Sequence, residues 1–301
     1  MNNVGGSIPN EISTLSEAKR IDLFGNVIGS SIPTGVGNLT ALELLDLEEN
    51  VLTGELFTTE VLGLTALLGL RGSFNRFMGT IPESIGTLSN LEQLWFAENM
   101  ITSSIPTQIG ALTSLESIFG YRNFIDGKFP SEMGLLTNLT QIRLYSNLIS
   151  GAIPPQLYNA TNLETLRLDS NKLTGMVTPE IGNLLALEDL RLNNQTIFGP
   201  IPSEIGNLAM LGTYIRTKRT RRRNKDALRG LLCTLLSWHH LIQCFCFAPL
   251  QFPSTYREHH PEQQLLLWIN PTAVVFCIIH TGVLGLVEQR IPDRVPTCHL
   301  V

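Results

Sequence analysis

Arginine and aromatic residues recur at a fixed spacing in this chain, and they are the side chains best suited to bind a ligand. Arg143, Arg167 and Arg191 follow one another at intervals of 24 residues. A guanidinium group is permanently charged and can hold a carboxylate or a sulfate through two parallel hydrogen bonds. Exposed Trp, Tyr and Arg are also frequent at the centre of binding interfaces. The candidate ligand-binding residues are Arg71, Trp95, Phe119, Tyr121, Arg143, Tyr145, Arg167 and Arg191.

Composition argues against catalysis. Residues 1–213 contain neither His nor Cys, whereas residues 214–301 contain all 5 Cys and all 6 His. The first segment therefore lacks an imidazole that could act as a general base or bind a metal. The sequence also has no Gly-rich phosphate loop with its Lys, no kinase His-Arg-Asp loop and no nucleophile elbow. We predict a protein that is not an enzyme and that uses no cofactor and no metal.

The spacing of these residues comes from an internal repeat. The phrase Gly-x-Ile-Pro, or a degenerate copy of it, recurs nine times, and its intervals are 24 residues with one exception of 25. Its apolar residue is Ile8, Ile32, Leu56, Ile81, Ile105, Phe129, Ile153, Val177 and Ile201. A column of asparagines keeps the same phase, at Asn26, Asn50, Asn75, Asn99, Asn123, Asn147 and Asn171, and is followed by Gln195.

A single repeat shows the structural role that we expect for each column. Leu166 and Leu168 alternate with polar residues, which predicts a short strand that points both leucines into a core and Arg167 outwards. Asn171 follows at the turn, where its amide can satisfy backbone groups that the bend leaves unpaired. No single repeat can bury its own leucines, so at least three must stack.

The Leu, Asn, Gly and Ile-Pro columns, in phase over roughly residues 2–213, resemble the plant-type leucine-rich repeat of receptor-like kinases and receptor-like proteins. The resemblance implies an α/β solenoid, a right-handed superhelix with a concave parallel β-sheet and with short second strands and helical turns behind it. It also implies a protein or peptide ligand on the concave face, a co-receptor as a further partner, and a membrane or extracellular location. Related receptors often hold the terminal carboxylate of a peptide hormone with two concave arginines.

The resemblance does not extend to the ends of the chain. No Cys-bearing cap precedes the first repeat and no paired-Cys cap follows the last one, so we expect a fragment or an incomplete gene model. The opening residues MNNVGGSIPN lack the basic start and the apolar core of a secretory signal, which predicts no signal peptide in this chain.

The sequence predicts three regions. Residues 1–213 form the solenoid, with about nine repeats of which the first and last are incomplete, and they carry 10 basic and 21 acidic residues. Residues 214–229 form a basic linker, which includes the dense run from Lys218 to Lys225. We interpret this run as a solvated stretch rather than a juxtamembrane patch. Because no aromatic residues are interleaved with it, we predict no nucleic-acid binding.

The third region, residues 230–301, is a hydrophobic tail that contains the Cys and His residues. Residues 265–287 are long enough for one membrane segment, although Asn270, Pro271 and His280 weaken that interpretation. Two hypotheses stay open: a segment that associates with the membrane, or a tail that is not natively folded because it translates an intron or a shifted frame. The cluster from His239 to Cys246 has no second pair at zinc-finger spacing, so we assign it no metal.

Two hypotheses of function remain. The first is a non-catalytic recognition module, in which the arginines and the faces of the neighbouring aromatic rings bind an extended anionic peptide. The alternative is a structural or adhesive extracellular or cell-wall protein without a discrete pocket, in which the same columns serve cross-strand stacking and ion pairing, with Asp169 beside Arg143 and Arg191. Four Asn-X-Ser/Thr sequons would suit an exported protein as N-glycosylation sites, at Asn38, Asn138, Asn159 and Asn194.

Overall fold

The computed structural model describes residues 3–211 and three strands of the tail. The chain divides into two compact units, Met1–His239 and His240–Val301, which are described separately. The basic linker 214–229 and the cluster from His239 to Cys246 lie outside the described residues.

The described part of the first unit, residues 3–211, is a leucine-rich repeat solenoid, a right-handed superhelix built on a concave sheet of eight parallel strands. Each repeat contributes one strand, and the strands follow one another across the sheet in chain order. The middle residue of each strand is buried, whereas its two neighbours point to the open face because side chains alternate along a strand. The strands of the concave sheet are Arg20–Asp22, Leu44–Asp46, Gly69–Arg71, Gln93–Trp95, Ser117–Phe119, Gln141–Arg143, Thr165–Arg167 and Asp189–Arg191.

Short outer strands and helical turns connect each concave strand to the next one. We call each repeat of the solenoid a rung. The outer strands within residues 3–211 are Gly5–Ser7, Val27–Gly29, Thr102–Ser104, Phe124–Asp126, Ser150–Gly151 and Lys172–Leu173. The 3₁₀ turns there are Asn10–Thr14, Thr34–Asn38, Glu83–Thr87, Thr107–Ala111, Ser131–Leu135, Pro155–Asn159, Pro179–Asn183 and Ser203–Asn207. The 25-residue repeat differs, since its extra residue allows an α-helical turn, Thr59–Leu62, whose N-cap Thr58 accepts a hydrogen bond from the Val61 N–H.

The core is a row of stacked apolar side chains in which large and small residues compensate. Phe96 occupies a position that most rungs fill with Leu, and its ring lies edge-on to Phe57 at 5.7 Å. The neighbouring rung has Gly120 at the same position, where a Cβ atom would lie 2.4 Å from the Phe96 ring. A larger ring on one rung is therefore accommodated by a missing side chain on the next.

Each asparagine of the Asn column links its own turn to the preceding rung. The amide nitrogen of Asn147 donates to the carbonyl oxygen of Leu144 at 3.1 Å and to that of Gly120, on the preceding rung, at 2.9 Å. Its Oδ1 accepts from the N–H of Ile125 at 3.1 Å. The same three kinds of hydrogen bond occur at Asn50, Asn75, Asn99, Asn123 and Asn171.

The two ends of the Asn column depart from this pattern. Asn26 donates within its own turn, to the carbonyl oxygens of Leu23 and Phe24, and accepts from the N–H of Val4. Gln195 donates to the carbonyl oxygen of Leu192, but its Oε1 is buried without a hydrogen-bond partner. The longer Gln side chain therefore replaces only part of the Asn function.

The described part of the second unit is an antiparallel sheet of three strands, Gln264–Asn270, Ala273–His280 and Val283–Arg290. These strands overlap the stretch 265–287, for which the sequence left a membrane segment or a tail that is not natively folded as alternatives, and both stay predictions. Pro271 has no N–H to donate in a continuous helix, and the run from Val274 to Ile279 is rich in β-branched residues, which favour strands. Among the described residues, no helix has both the length and the apolar character required to span a membrane.

A substitution in the Asn column tests the role of the side chain. Asn147→Ala should lower the free energy of unfolding by roughly 1 to 3 kcal/mol, because it leaves buried backbone groups of two rungs without their partner. Denaturant unfolding followed by circular dichroism measures the loss. The control is Asn162→Ala, which removes an exposed hydrogen bond to the carbonyl oxygen of Thr137 and should have little effect. Equal losses in the two variants would contradict this role.

Candidate ligand-binding face

The strand register places the candidate residues on one face in two neighbouring columns. The last residues of the eight strands form the central column, and they pair in register across the sheet. The central column contains Asp22, Asp46, Arg71, Trp95, Phe119, Arg143, Arg167 and Arg191. The second column lies two residues further along each rung, and it includes Tyr121 and Tyr145. All eight candidate ligand-binding residues are half-buried.

Four side chains of the central column stack on one another, and we call them the central stack. The guanidinium carbon of Arg71 lies 4.4 Å from the centre of the Trp95 ring. The Trp95 and Phe119 rings are 4.9 Å apart and nearly parallel, at 14°. Arg143 lies over the other face of the Phe119 ring, with its guanidinium carbon 4.7 Å from the ring centre. These distances match the spacing of roughly 4.8 Å between strands, so the sheet itself brings the side chains into stacking contact.

A second stack follows the tyrosines of the neighbouring column. The rings of Tyr121 and Tyr145 are 4.5 Å apart at 5°, and the guanidinium carbon of Arg167 lies 4.4 Å from the centre of the Tyr145 ring. Phe74 meets Tyr121 edge-on at 6.4 Å. We call Phe74, Tyr121, Tyr145 and Arg167 the tyrosine stack. Burial is the main cause that raises the pKa of the Tyr121 hydroxyl above its usual value.

The stacks change the expected use of the aromatic rings. The sequence suggested that the ring faces would receive apolar side chains of a ligand. Within the two stacks, however, the faces between neighbouring members contact other rings or guanidinium groups. The ring faces inside the stacks are therefore not available to apolar side chains of a ligand.

Sequence reasoning missed the residues that hold these side chains in place. They are the first residues of the same strands, which point to the same face because they lie two positions before the central column. Each accepts a hydrogen bond from a central-column side chain at 2.9 Å. The pairs are Arg71 with Gln93, Trp95 with Ser117, Arg143 with Gln141 and Arg191 with Asp189. The alternation of strand residues was the signal that could have identified them.

Three positions of these two columns are buried rather than exposed to solvent. The side chains of Ser73 and Ala97 are too short to rise above their larger neighbours, and they are 2% and 0% exposed. Asp46 is also buried, and its carboxylate pairs with Arg71 at 3.1 Å. The sequence suggested ion pairing of Asp169 with Arg143 and Arg191. In the structure, its Oδ1 atom is buried without a hydrogen-bond partner.

The four predicted N-glycosylation sites lie on the surface of the described solenoid. Asn38 and Asn159 end 3₁₀ turns, Asn138 follows the turn Ser131–Leu135, and Asn194 follows the last strand of the concave sheet. All four side chains are exposed. Their modification remains a prediction.

The leucine-rich repeat family model matches residues 162–184. A plant peptide hormone receptor, RGFR1 in complex with RGF2, is 34% identical with a TM-score of 0.69 over 70% of this chain and 34% of its own. The Arabidopsis receptor kinase HAESA, in complex with the peptide hormone IDA and the co-receptor SERK1, is 29% identical with a TM-score of 0.65, over 70% of this chain and 39% of its own.

A TDR receptor is 31% identical with a TM-score of 0.62, over 69% of this chain and 40% of its own. The chain thus spans only about a third to two fifths of the length of these solved structures. None of the curated protein sequences matches it. The repeats of this chain are leucine-rich repeats of the plant type.

The environment of Asp169 makes stability depend on pH. Burial is the largest cause that raises the pKa of this carboxyl above 3.8, and the nearby Arg167 and Arg191 partly oppose it. Since the folded protein binds this proton more tightly than the unfolded chain, the charged carboxylate lowers stability at neutral pH. That loss disappears as the pH falls through the folded-state pKa.

We therefore expect Asp169→Asn to raise the thermal midpoint at pH 7, with a benefit that shrinks as the pH approaches 3.8. Thermal unfolding at a series of pH values measures it, and Asp126→Asn, at an exposed position of an outer strand, is the control. A lower midpoint of Asp169→Asn at pH 7 would show instead that ion pairing stabilises the carboxylate.

Proposed function

We propose that this plant-type leucine-rich repeat protein is a recognition module that binds an extended protein or peptide segment across its concave sheet. The observation that carries the proposal is the pair of stacks on consecutive rungs of one face. The solved ectodomains with similar repeats support it, since two of them hold peptide hormones.

The stacks favour binding because they are already ordered. Arg and aromatic side chains lose rotamer freedom when a ligand immobilises them, which costs roughly 0.5 to 1.5 kcal/mol for each side chain. Here the neighbouring rings and the hydrogen bonds to Gln93, Ser117 and Gln141 already restrict these side chains. A ligand therefore meets a rigid ridge, and little of its contact energy is lost to ordering the protein.

The charge of the central column changes from acidic to basic along the sheet. The central column begins with Asp22 and Asp46 and ends with three arginines. Among the described residues Arg167 makes no ion pair within 4.0 Å. Its Nε is buried without a hydrogen-bond partner, and its terminal N–H groups are left for a ligand. We therefore assign the anionic group of the ligand to the end of the sheet near Arg143 and Arg167.

The structural or adhesive alternative makes a different claim about the same side chains. Under that alternative the stacks only stabilise the sheet, and removal of one member changes stability without changing the affinity for any partner. Binding measurements on folded variants separate the two functions.

Arg167→Ala and Trp95→Ala should each weaken a peptide ligand by roughly 1 to 3 kcal/mol. Peptides selected from a random displayed library against the whole chain serve as probes, and isothermal titration measures their affinity. The Arg167 contribution should shrink at higher salt, because partly exposed charges are screened. Lys172→Ala, which removes an exposed cation from an outer strand, is the control. Unchanged affinity in both test variants would refute the proposed face and favour the structural alternative.

A further inference from the structure

A cavity of about 250 Å³ lies beside the central stack, at the start of the strands. Leu44, Leu68 and Gly69 are the apolar residues that line it. Arg71 lines the cavity and is also the first member of the central stack. The cavity, which we call the Gly69 pocket, is therefore continuous with the proposed binding face.

One rung of the pocket has glycine, Gly69, as the first residue of its strand. Arg20, Leu44, Gly69 and Gln93 pair in register as the first residues of neighbouring strands. A Cβ atom at Gly69 would lie 2.5 Å from Cδ1 of Leu44, so the Leu44 side chain lies over Gly69 and any side chain there would have to displace it. Leu44 is partly exposed in a row of otherwise mostly polar residues, and it gives the pocket an apolar surface.

Most of the polar side chains around the pocket already have partners. Arg71 donates to Gln93 at 2.9 Å and pairs with Asp46 at 3.1 Å. On the other side, Lys19 and Glu43 form an ion pair at 2.7 Å. An anionic ligand group would have to compete with these contacts, whereas an aliphatic group needs only the apolar surface of Leu44 and Leu68.

We propose that the Gly69 pocket takes one compact aliphatic side chain, of the size of Val, Leu or Ile, from the peptide that the concave sheet binds. This inference rests on the proposed function and adds to it the spacing of two groups in the ligand. The strand of Gly69 is four rungs from the strand of Arg167, which is roughly 19 Å at 4.8 Å for each rung. An extended peptide covers that distance in about six residues, so the ligand carries its aliphatic residue about six positions from its anionic group.

The test uses a small probe that does not require the two stacks. N-acetyl-leucinamide and N-acetylglycinamide are titrated into the whole chain, with the methyl signals of Leu44 and Leu68 followed by NMR. We expect the leucine probe to shift these signals and the glycine probe to leave them unchanged. Gly69→Gln, which places here the residue type found at Gln93, should weaken the leucine probe at least tenfold.

Two further variants control for the position of the substitution and for folding. Thr165→Gln introduces the same residue in the same row of strand positions, away from the pocket, and should bind the leucine probe as the wild type does. If Gly69→Gln does not fold, Gly69→Ala replaces it, since its Cβ alone reaches Leu44. Equal responses to the two probes, or wild-type affinity in the folded Gly69 variant, would overturn the pocket. That failure would leave the proposed function standing if Arg167→Ala still weakens selected peptides.

Discussion

The hydrogen bonds of the Asn column are the interaction on which the rest of the solenoid depends. Each concave strand ends in a sharp bend, in which the residue before the Asn has a positive φ, for example 53° at Glu98 and 56° at Ser146. Such a bend leaves backbone groups that cannot pair within the strand, and the Asn amide satisfies them while it also bonds to the preceding rung. The rungs are therefore held in one register. That register makes Trp95 and Phe119 neighbours at stacking distance, so the proposed binding face is a consequence of the same bonds that stabilise the fold.

The repeat period allowed much of the fold and part of the site to be predicted. A period of 24 residues with alternating leucines indicates which residues share a column and which face they occupy, and the register bears this out for Arg143, Phe119 and Arg167. The period carries no information on side-chain rotation or on depth. The stacking of the rings, the anchoring of Trp95 by Ser117 and the pocket at Gly69 depend on contacts between rungs that differ in residue size. Those contacts could be identified only from the structure.

The tail shows a second limit of sequence patterns. Mean hydropathy and length are the same for a run of apolar residues whether it forms one helix or several strands. Residues 265–287 satisfy the length criterion for a membrane segment, and the described backbone there forms three antiparallel strands. Local residue types favour strands over a continuous helix, since Pro271 interrupts the run and β-branched residues dominate the part that follows.

Hydroxyl-radical footprinting with a selected peptide tests most directly whether the stacked face of the concave sheet is the binding site. Trp95, Tyr121 and Tyr145 lie on that face, whereas Met100, Phe124 and Met176 are exposed elsewhere on the solenoid and serve as internal controls. We expect the peptide to slow oxidation of the first three residues and to leave the last three unchanged. Protection of Met100, Phe124 or Met176, with Trp95 and the two tyrosines unaffected, would contradict it.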